Sequence, residues 1–152
     1  MPDECRYPES LKTVQDVVCW GLGQLARPFD SAALIGALLT GLRDTTGSLR
    51  ADLLLFQSDM NILFFSESVS ADTEEGGRGN ISLADSKRSA AVEALAGGHT
   101  VLVEDVRESG LLSFSPGSRT LLSAPVIYGE RLHGVLNLEH SERDAYDALT
   151  VS

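Results

Sequence analysis

The chain has 152 residues, 43% hydrophobic and 22% charged, a length and balance that predict one compact domain with its own core and rule out a disordered chain. Acidic residues outnumber basic ones by 22 to 12, and the formal charge of −10 opposes a polyanion, so nucleic acid is excluded as an expected partner. No apolar stretch approaches the ~20 residues of a membrane-spanning helix, and Asp3, Glu4 and Glu9 stand where a signal peptide is basic and then apolar, so a soluble, cytoplasmic protein without membrane contact is expected.

Residues 1–9 read as a tail and residues 10–152 as a single domain. Leu11, Val14, Val18, Leu22 and Leu25 recur at spacings of three and four, which predicts a helix over 11–26 that Pro28 ends. A second stripe, Leu34, Ile35, Leu38, Leu39 and Leu42, follows Asp30 and Ser31, either of which can cap it, and predicts a helix over 32–45 stopping near Gly47. Leu53 to Phe56 and Ile62 to Phe65 are short apolar runs around Gln57–Asn61 and read as a hairpin; neither alternates, so both of its faces are expected to be covered. The stretch from Ser70 to Asn80, with Glu74-Glu75-Gly76-Gly77-Arg78-Gly79, has no apolar period and reads as a mobile loop. Ser82-x-x-Asp85 forms a capping box for an Ala-rich helix over 83–96, ended by Gly97-Gly98. A strand from His99 to Glu104 leads into a long loop, Asp105 to Ser118, of a length that often carries function. Arg119–Tyr128 and Leu132–Glu139 flank Gly129-Glu130 as a second hairpin. Ser141-x-x-Asp144 is a second capping box, so a closing helix is expected from about Glu142 with Ala145, Tyr146 and Leu149 as its first apolar positions. Its length of about two turns is marginal for an isolated helix, which points to a truncated closing helix and a longer parent chain.

This is an α+β order, and particular residues within it are familiar. Val92-Glu93-Ala94-Leu95-Ala96-Gly97-Gly98-His99-Thr100-Val101-Leu102-Val103-Glu104-Asp105-Val106 resembles the helix, small-residue turn, strand and Asp-Val of GAF domains. Thr120-Leu121-Leu122-Ser123-Ala124-Pro125-Val126-Ile127, then Gly129 and Gly134-Val135-Leu136-Asn137-Leu138, is similar to that family's Ser/Thr-led strand with an internal Pro, hairpin and Gly-Val-Leu. The resemblance runs from about Leu11 to Leu149. It implies a five- or six-stranded antiparallel sheet with central order 2-1-5-4-3 and helices on both faces. The first and last helices would share one face, and a small-molecule pocket would lie on the other, under the third helix and the long loop. Pro125 has no amide to donate, so the ladder is expected to break or bulge there, and Gly134 permits a close backbone approach.

The functional expectation that follows is a sensory or regulatory domain of a bacterial signalling protein such as a sensor histidine kinase. It would bind an unidentified small molecule, pair as a homodimer, or do both, and bias a downstream output domain without chemistry or a cofactor of its own. A ligand-free dimerisation module and a haem- or metal-binding sensor are the alternatives. Against a cyclic nucleotide, Asn137 matches the relevant relatives, but Leu138 stands where they have Lys, Tyr146 replaces Phe, and Thr150-Val151 replace Asp-Glu. Cys5 and Cys19 are the chain's two cysteines, few enough to suit a reducing compartment. No thiol lies between Trp20 and Ser152, which argues against bilin attachment and against the GAF enzymes that reduce free methionine sulfoxide.

His99, His133 and His140, with Glu139 and Asp105, match no closed metal spacing, and no metal site is predicted. Gly76-Gly77-Arg78-Gly79 does not follow a strand into a helix, and Glu74-Glu75 would repel a phosphate. Asn80-Ile81-Ser82 is a glycosylation sequon by letters alone. Alternation places Arg119, Leu121 and Ser123 on one face of their strand and Thr120, Leu122 and Ala124 on the other, and leaves open which face lines the pocket. The candidate ligand-binding residues are Phe114, as an apolar cover, Arg119, as a clamp for a carboxylate or phosphate, and Thr120, Ser123 and Asn137. A solvated Arg119 and a Phe114 that merely anchors its loop is the plainer alternative. Val17 and Trp20 lie off the first helix's main stripe and are the candidate dimer interface.

Overall fold

The computed structural model describes residues 13–18, 31–70, 80–84 and 89–146. Its strands are β1 (Arg50–Gln57), β2 (Ile62–Ser70), β3 (Asn80–Ser82), β4 (Val101–Val103), β5 (Thr120–Tyr128) and β6 (Arg131–His140). They form one sheet in the order β3-β2-β1-β6-β5-β4, and every neighbouring pair is antiparallel. Without the three-residue β3 this is the order 2-1-5-4-3 expected from the sequence. Residues 14–18 are helical (α1), followed by α2 (Ser31–Thr46), α3 (Ala90–Gly97) and the single turn α4 (Val106–Ser109).

Side-chain alternation on the central strands builds two cores. Ala51 packs with Leu39 of α2, Leu122, Leu138 and Tyr146, whereas Leu54 packs with Leu63, Val135 and Ala91, Ala94 and Leu95 of α3. The two helices therefore lie on opposite faces of the sheet. At its centre β1 and β6 run very close: a Cβ on Gly134 would stand 2.0 Å from the Leu54 carbonyl oxygen. The β5–β6 register slips between Val126 and Ile127, one residue beyond Pro125, which itself stays opposite Val135.

Several local expectations are corrected. The third helix begins at Ala90, with Ser89 at its N-cap; Ser82 belongs to β3, opposite Ile62, and its hydroxyl accepts the Ala84 amide at 3.2 Å, while Asp85 lies outside the described residues. The long loop opens with α4, whose first turn is capped by Asp105 accepting the Arg107 amide at 3.1 Å. No helix starts at Glu142, because the amides it would leave for a cap are taken elsewhere. His140 Nδ1 accepts from Glu142 N at 2.9 Å, and Thr120 Oγ1 accepts from Ala145 N at 3.2 Å, so residues 141–146 form bends and turns. On α1, Val17 is fully buried and Val18 is 47% exposed, the reverse of the stripe reading. Val14 stays half-buried beside Leu42 and Leu138, so the buried stripe joins Val14 to Val17 at a spacing of three and not to Val18 at a spacing of four, which removes Val17 from the candidate dimer interface. Trp20, Cys5, Cys19, the loop over 71–79 and residues 147–152 lie outside the described residues.

Candidate functional site

On the α3 face, adjacent rungs of the sheet carry polar side chains where an apolar core would be expected. Register sets Asp52 of β1 opposite Asn137 of β6, and Asn137 opposite Ser123 of β5; one rung on, Arg50 stands opposite Glu139. All five residues are buried. The Arg50 guanidinium grips the Asp52 carboxylate with Nε at 2.9 Å and Nη2 at 2.6 Å. Asn137 Nδ2 donates to Asp52 Oδ2 at 3.0 Å and to Glu139 Oε2 at 3.1 Å, and its Oδ1 accepts the Ser123 hydroxyl at 3.1 Å. Strand period and rung spacing thus turn residues up to 89 positions apart into one network.

The long loop closes this network from above. Phe114 N and Ser115 N donate to the Glu139 carboxylate at 2.9 and 3.0 Å, and the Ser118 hydroxyl donates to it at 2.5 Å. Arg50 Nη1 donates to the Phe114 carbonyl at 3.1 Å, and its guanidinium carbon lies 5.6 Å from the centre of the Phe114 ring. That ring meets Phe65 of β2 edge to face at 4.8 Å. No buried side-chain polar atom among the described residues is left without a partner. The charges are not balanced within the network: two carboxylates face one guanidinium, and the donors reaching Glu139 among the described residues are all neutral.

Of the sequence-derived candidates, Phe114, Ser123 and Asn137 meet here. Arg119 and Thr120 do not. Arg119 pairs with Asp105 through Nε at 3.1 Å and Nη2 at 2.7 Å, at the surface end of the loop. Thr120 donates to the Glu142 carbonyl at 2.6 Å and holds the closing segment in place. Arg119 above all, with the Arg107 amide and the Arg143 charge in support, holds the Asp105 carboxyl down at about 2 against the opposing effect of burial. On the α2 face, Tyr146 and Ser48 share a 2.6 Å hydrogen bond, and Ser48 shares another of 2.6 Å with Thr46. Burial pushes the Tyr146 phenol up, Glu139 adds to that rise, and the bond to Ser48 opposes it. His99 and His133 are exposed, and His140 lies edge-on to Tyr146 at 5.9 Å. Among the described residues no three His, Cys, Asp or Glu side chains converge as metal ligands.

Arg50 and Asp52 were absent from the candidate residues, and Glu139 was weighed only as a metal ligand, beside His99, His133, His140 and Asp105. The alternation of β6 was the available signal, since Asn137 and Glu139 share a face, but β1 was read only from its apolar run, Leu53 to Phe56, which leaves out Arg50 and Asp52.

An antiparallel sheet with helices on both faces and a polar cluster under a long loop defines a class of small α+β domain. The GAF domain family matches residues 30–151, and the chain belongs to it. No curated protein matches the sequence. The solved structures it resembles include the free methionine-R-sulfoxide reductase of Neisseria meningitidis in complex with its substrate, at a TM-score of 0.77 and 19% identity over 96% of this chain and 85% of that one. The type II free methionine-R-sulfoxide reductase of Thermoplasma acidophilum matches at a TM-score of 0.68 and 16% identity, over 79% and 80%. The GAF domain of an Acinetobacter phosphoenolpyruvate-protein phosphotransferase matches at 0.73 and 12%, over 90% and 82%. At these identities the likeness is one of fold. It nonetheless overturns the expectation of a domain without chemistry of its own, because in the first two proteins this same fold is an enzyme. The missing thiol between Trp20 and Ser152 bears on that stretch alone and leaves Cys5 and Cys19 uncounted. Among the described residues no helix is long and apolar enough to cross a membrane.

Proposed function

We propose that the chain is a sensory or regulatory GAF domain that binds a small molecule carrying N–H donors, such as a protonated amine, at the Asp52–Asn137–Glu139 cluster under Phe114. The observation that carries this reading is the fully buried Glu139, a carboxylate that among the described residues is met by neutral donors, three of them lent by the loop. Ser123 and Asn137 continue the floor, Phe114 covers its Arg50 end, and Arg50 orients Asp52. Arg119 and Thr120 support the site from its edge by holding the loop and the closing segment. The domain pairs with a second copy along the exposed flank of α1, where Val18 stands and Trp20 follows, and passes ligand occupancy to an output domain in a cytoplasmic signalling chain.

A thermal-shift screen of small amines, free amino acids and free methionine sulfoxide tests it. A ligand present at ~100 times its Kd raises Tm by about 5–10 °C. Asn137→Ala should abolish the shift while the variant stays folded. No shift with any amine, or a shift that Asn137→Ala leaves intact, rejects the site.

A second reading comes from the likeness in fold to the two reductases, with Cys5 and Cys19 as the available thiols. Its test is turnover of free methionine-R-sulfoxide with a thiol reductant. Turnover lost in Cys5→Ala or Cys19→Ala makes the chain such an enzyme; absence of turnover removes this reading and leaves the first standing.

A further inference from the structure

We infer that the segment from Ser113 to Ser118 is a lid that shuts the polar site with the chain's own main chain, and that Glu139 is the catch that holds it. The inference rests on reading the cluster beneath as a small-molecule site. The side chains beneath are buried, and the Phe114 ring lies against the Arg50 guanidinium and Phe65 at the β1–β2 end of the network, so Arg50 and Glu139 are shut in while the segment stays down. Among the described residues, the lid's hydrogen bonds to the sheet converge on two side chains. Phe114 N, Ser115 N and Ser118 Oγ go to Glu139, and the Phe114 carbonyl and Ser115 Oγ, at 3.1 and 3.4 Å, go to Arg50.

Between these grips the segment is lightly held. Pro116 and Gly117 are exposed, as is Leu112 just before them, and the Ser118 amide bonds within the segment, to the Ser115 carbonyl at 3.1 Å. The hinges lie on firmer ground. Leu111 is buried with Val103, Val106 and Leu121 on one side, and Arg119 N donates to the His140 carbonyl at 2.7 Å on the other. A short segment fixed at both ends and held between them by two side chains opens as a local unit, without disturbing the β1–β6 ladder. Glu139 therefore has two competing sets of donors, those of the lid and those of an incoming ligand. The lid's set makes the closed state self-liganded, and a ligand must displace it.

Amide exchange and chemical access test this without any ligand. In the wild type, the Phe114 and Ser115 amides should exchange much more slowly than exposed amides. Ser118→Ala removes one donor and leaves the carboxylate three others; both amides should then exchange about 10-fold faster, with Leu53 and Leu138 in the ladder unchanged. Glu139→Gln should increase the same two rates further. In a Ser115→Cys background, iodoacetamide labelling read at that peptide by mass spectrometry should be slow, because Ser115 is buried in the closed segment, and should accelerate with Ser118→Ala by a similar factor. Fast exchange at Phe114 and Ser115 in the wild type overturns the lid. So does a Ser118→Ala variant that changes neither the two amides nor the labelling, or one that changes them only together with the ladder. Because no ligand is present, these outcomes are separate from those of the thermal-shift screen, which decides whether the cluster is a binding site.

Discussion

Asp105 serves two elements with one carboxylate. Oδ1 caps α4 through the Arg107 amide while both oxygens take the Arg119 fork, so helix start and strand start are pinned together. Because its pKa is depressed to about 2, below the unfolded value near 3.9, the stabilisation is present above about pH 4 and is lost as the pH falls toward 2. Urea unfolding at pH 2 to 6 should show this loss in the wild type and a flatter profile in Asp105→Asn, with a lower plateau at pH 6. Equal slopes would mean that Asp105 is not the group responsible. Tyr146 gives the opposite sign at the other end of the scale. Its phenol is raised by burial, so its contribution is complete below about pH 10 and declines as the pH rises above that. Tyr146→Phe should lose about 1 kcal/mol at pH 7 with the bond to Ser48, and should remove the part of the alkaline decline that this phenol causes.

At the scale of elements, the two hairpin strands β5 and β6 were legible because Gly129-Glu130 lies between two runs of strand-forming residues, and Glu130 adopts φ +64 in the turn as a two-residue connection requires. Glycines separate the structural roles further. Gly134→Ala would drive a Cβ into the Leu54 carbonyl oxygen, where no rotamer offers relief, and should cost about 3 kcal/mol by chemical denaturation. Gly36, in the middle of α2, has nothing within 4 Å of its would-be Cβ, so Gly36→Ala should stabilise by about 0.5–1 kcal/mol. Reversal of either sign would contradict the packing described. The start of α3 and the closing helix were misread for one shared reason: a Ser-x-x-Asp spacing signals a cap only when the following amides are free. Ser82 is committed to a strand, and at Ser141 the amides of Glu142 and Ala145 are already bonded to His140 and Thr120. Those partners come from strands whose position no local window reveals.

For the molecule as a whole, the same limit governs the site. Ser123, Asn137 and Phe114 were accessible as polar or loop residues near the second hairpin, but Asp52 and Asn137 are 85 positions apart and become partners only once β1 lies beside β6. The proposed pairing of two copies depends on a property that was legible from the start, the net charge. Two copies that each carry −10 repel one another, and the repulsion extends over the Debye length, ~8 Å at physiological ionic strength and ~3 Å at 1 M salt. The apolar contact proposed around Val18 is short-ranged and is not weakened by salt. Raising the salt should therefore strengthen the homodimer, the reverse of what a contact built on ion pairs would do. Sedimentation velocity at 0.05 M and 0.5 M sodium chloride should show the wild type shifting toward dimer at the higher salt. Val18→Glu, which adds one more negative charge per subunit inside the contact, should stay monomeric in both. A wild type that is monomeric at both salts up to high micromolar concentration, or one that dissociates as salt rises, rules out this interface.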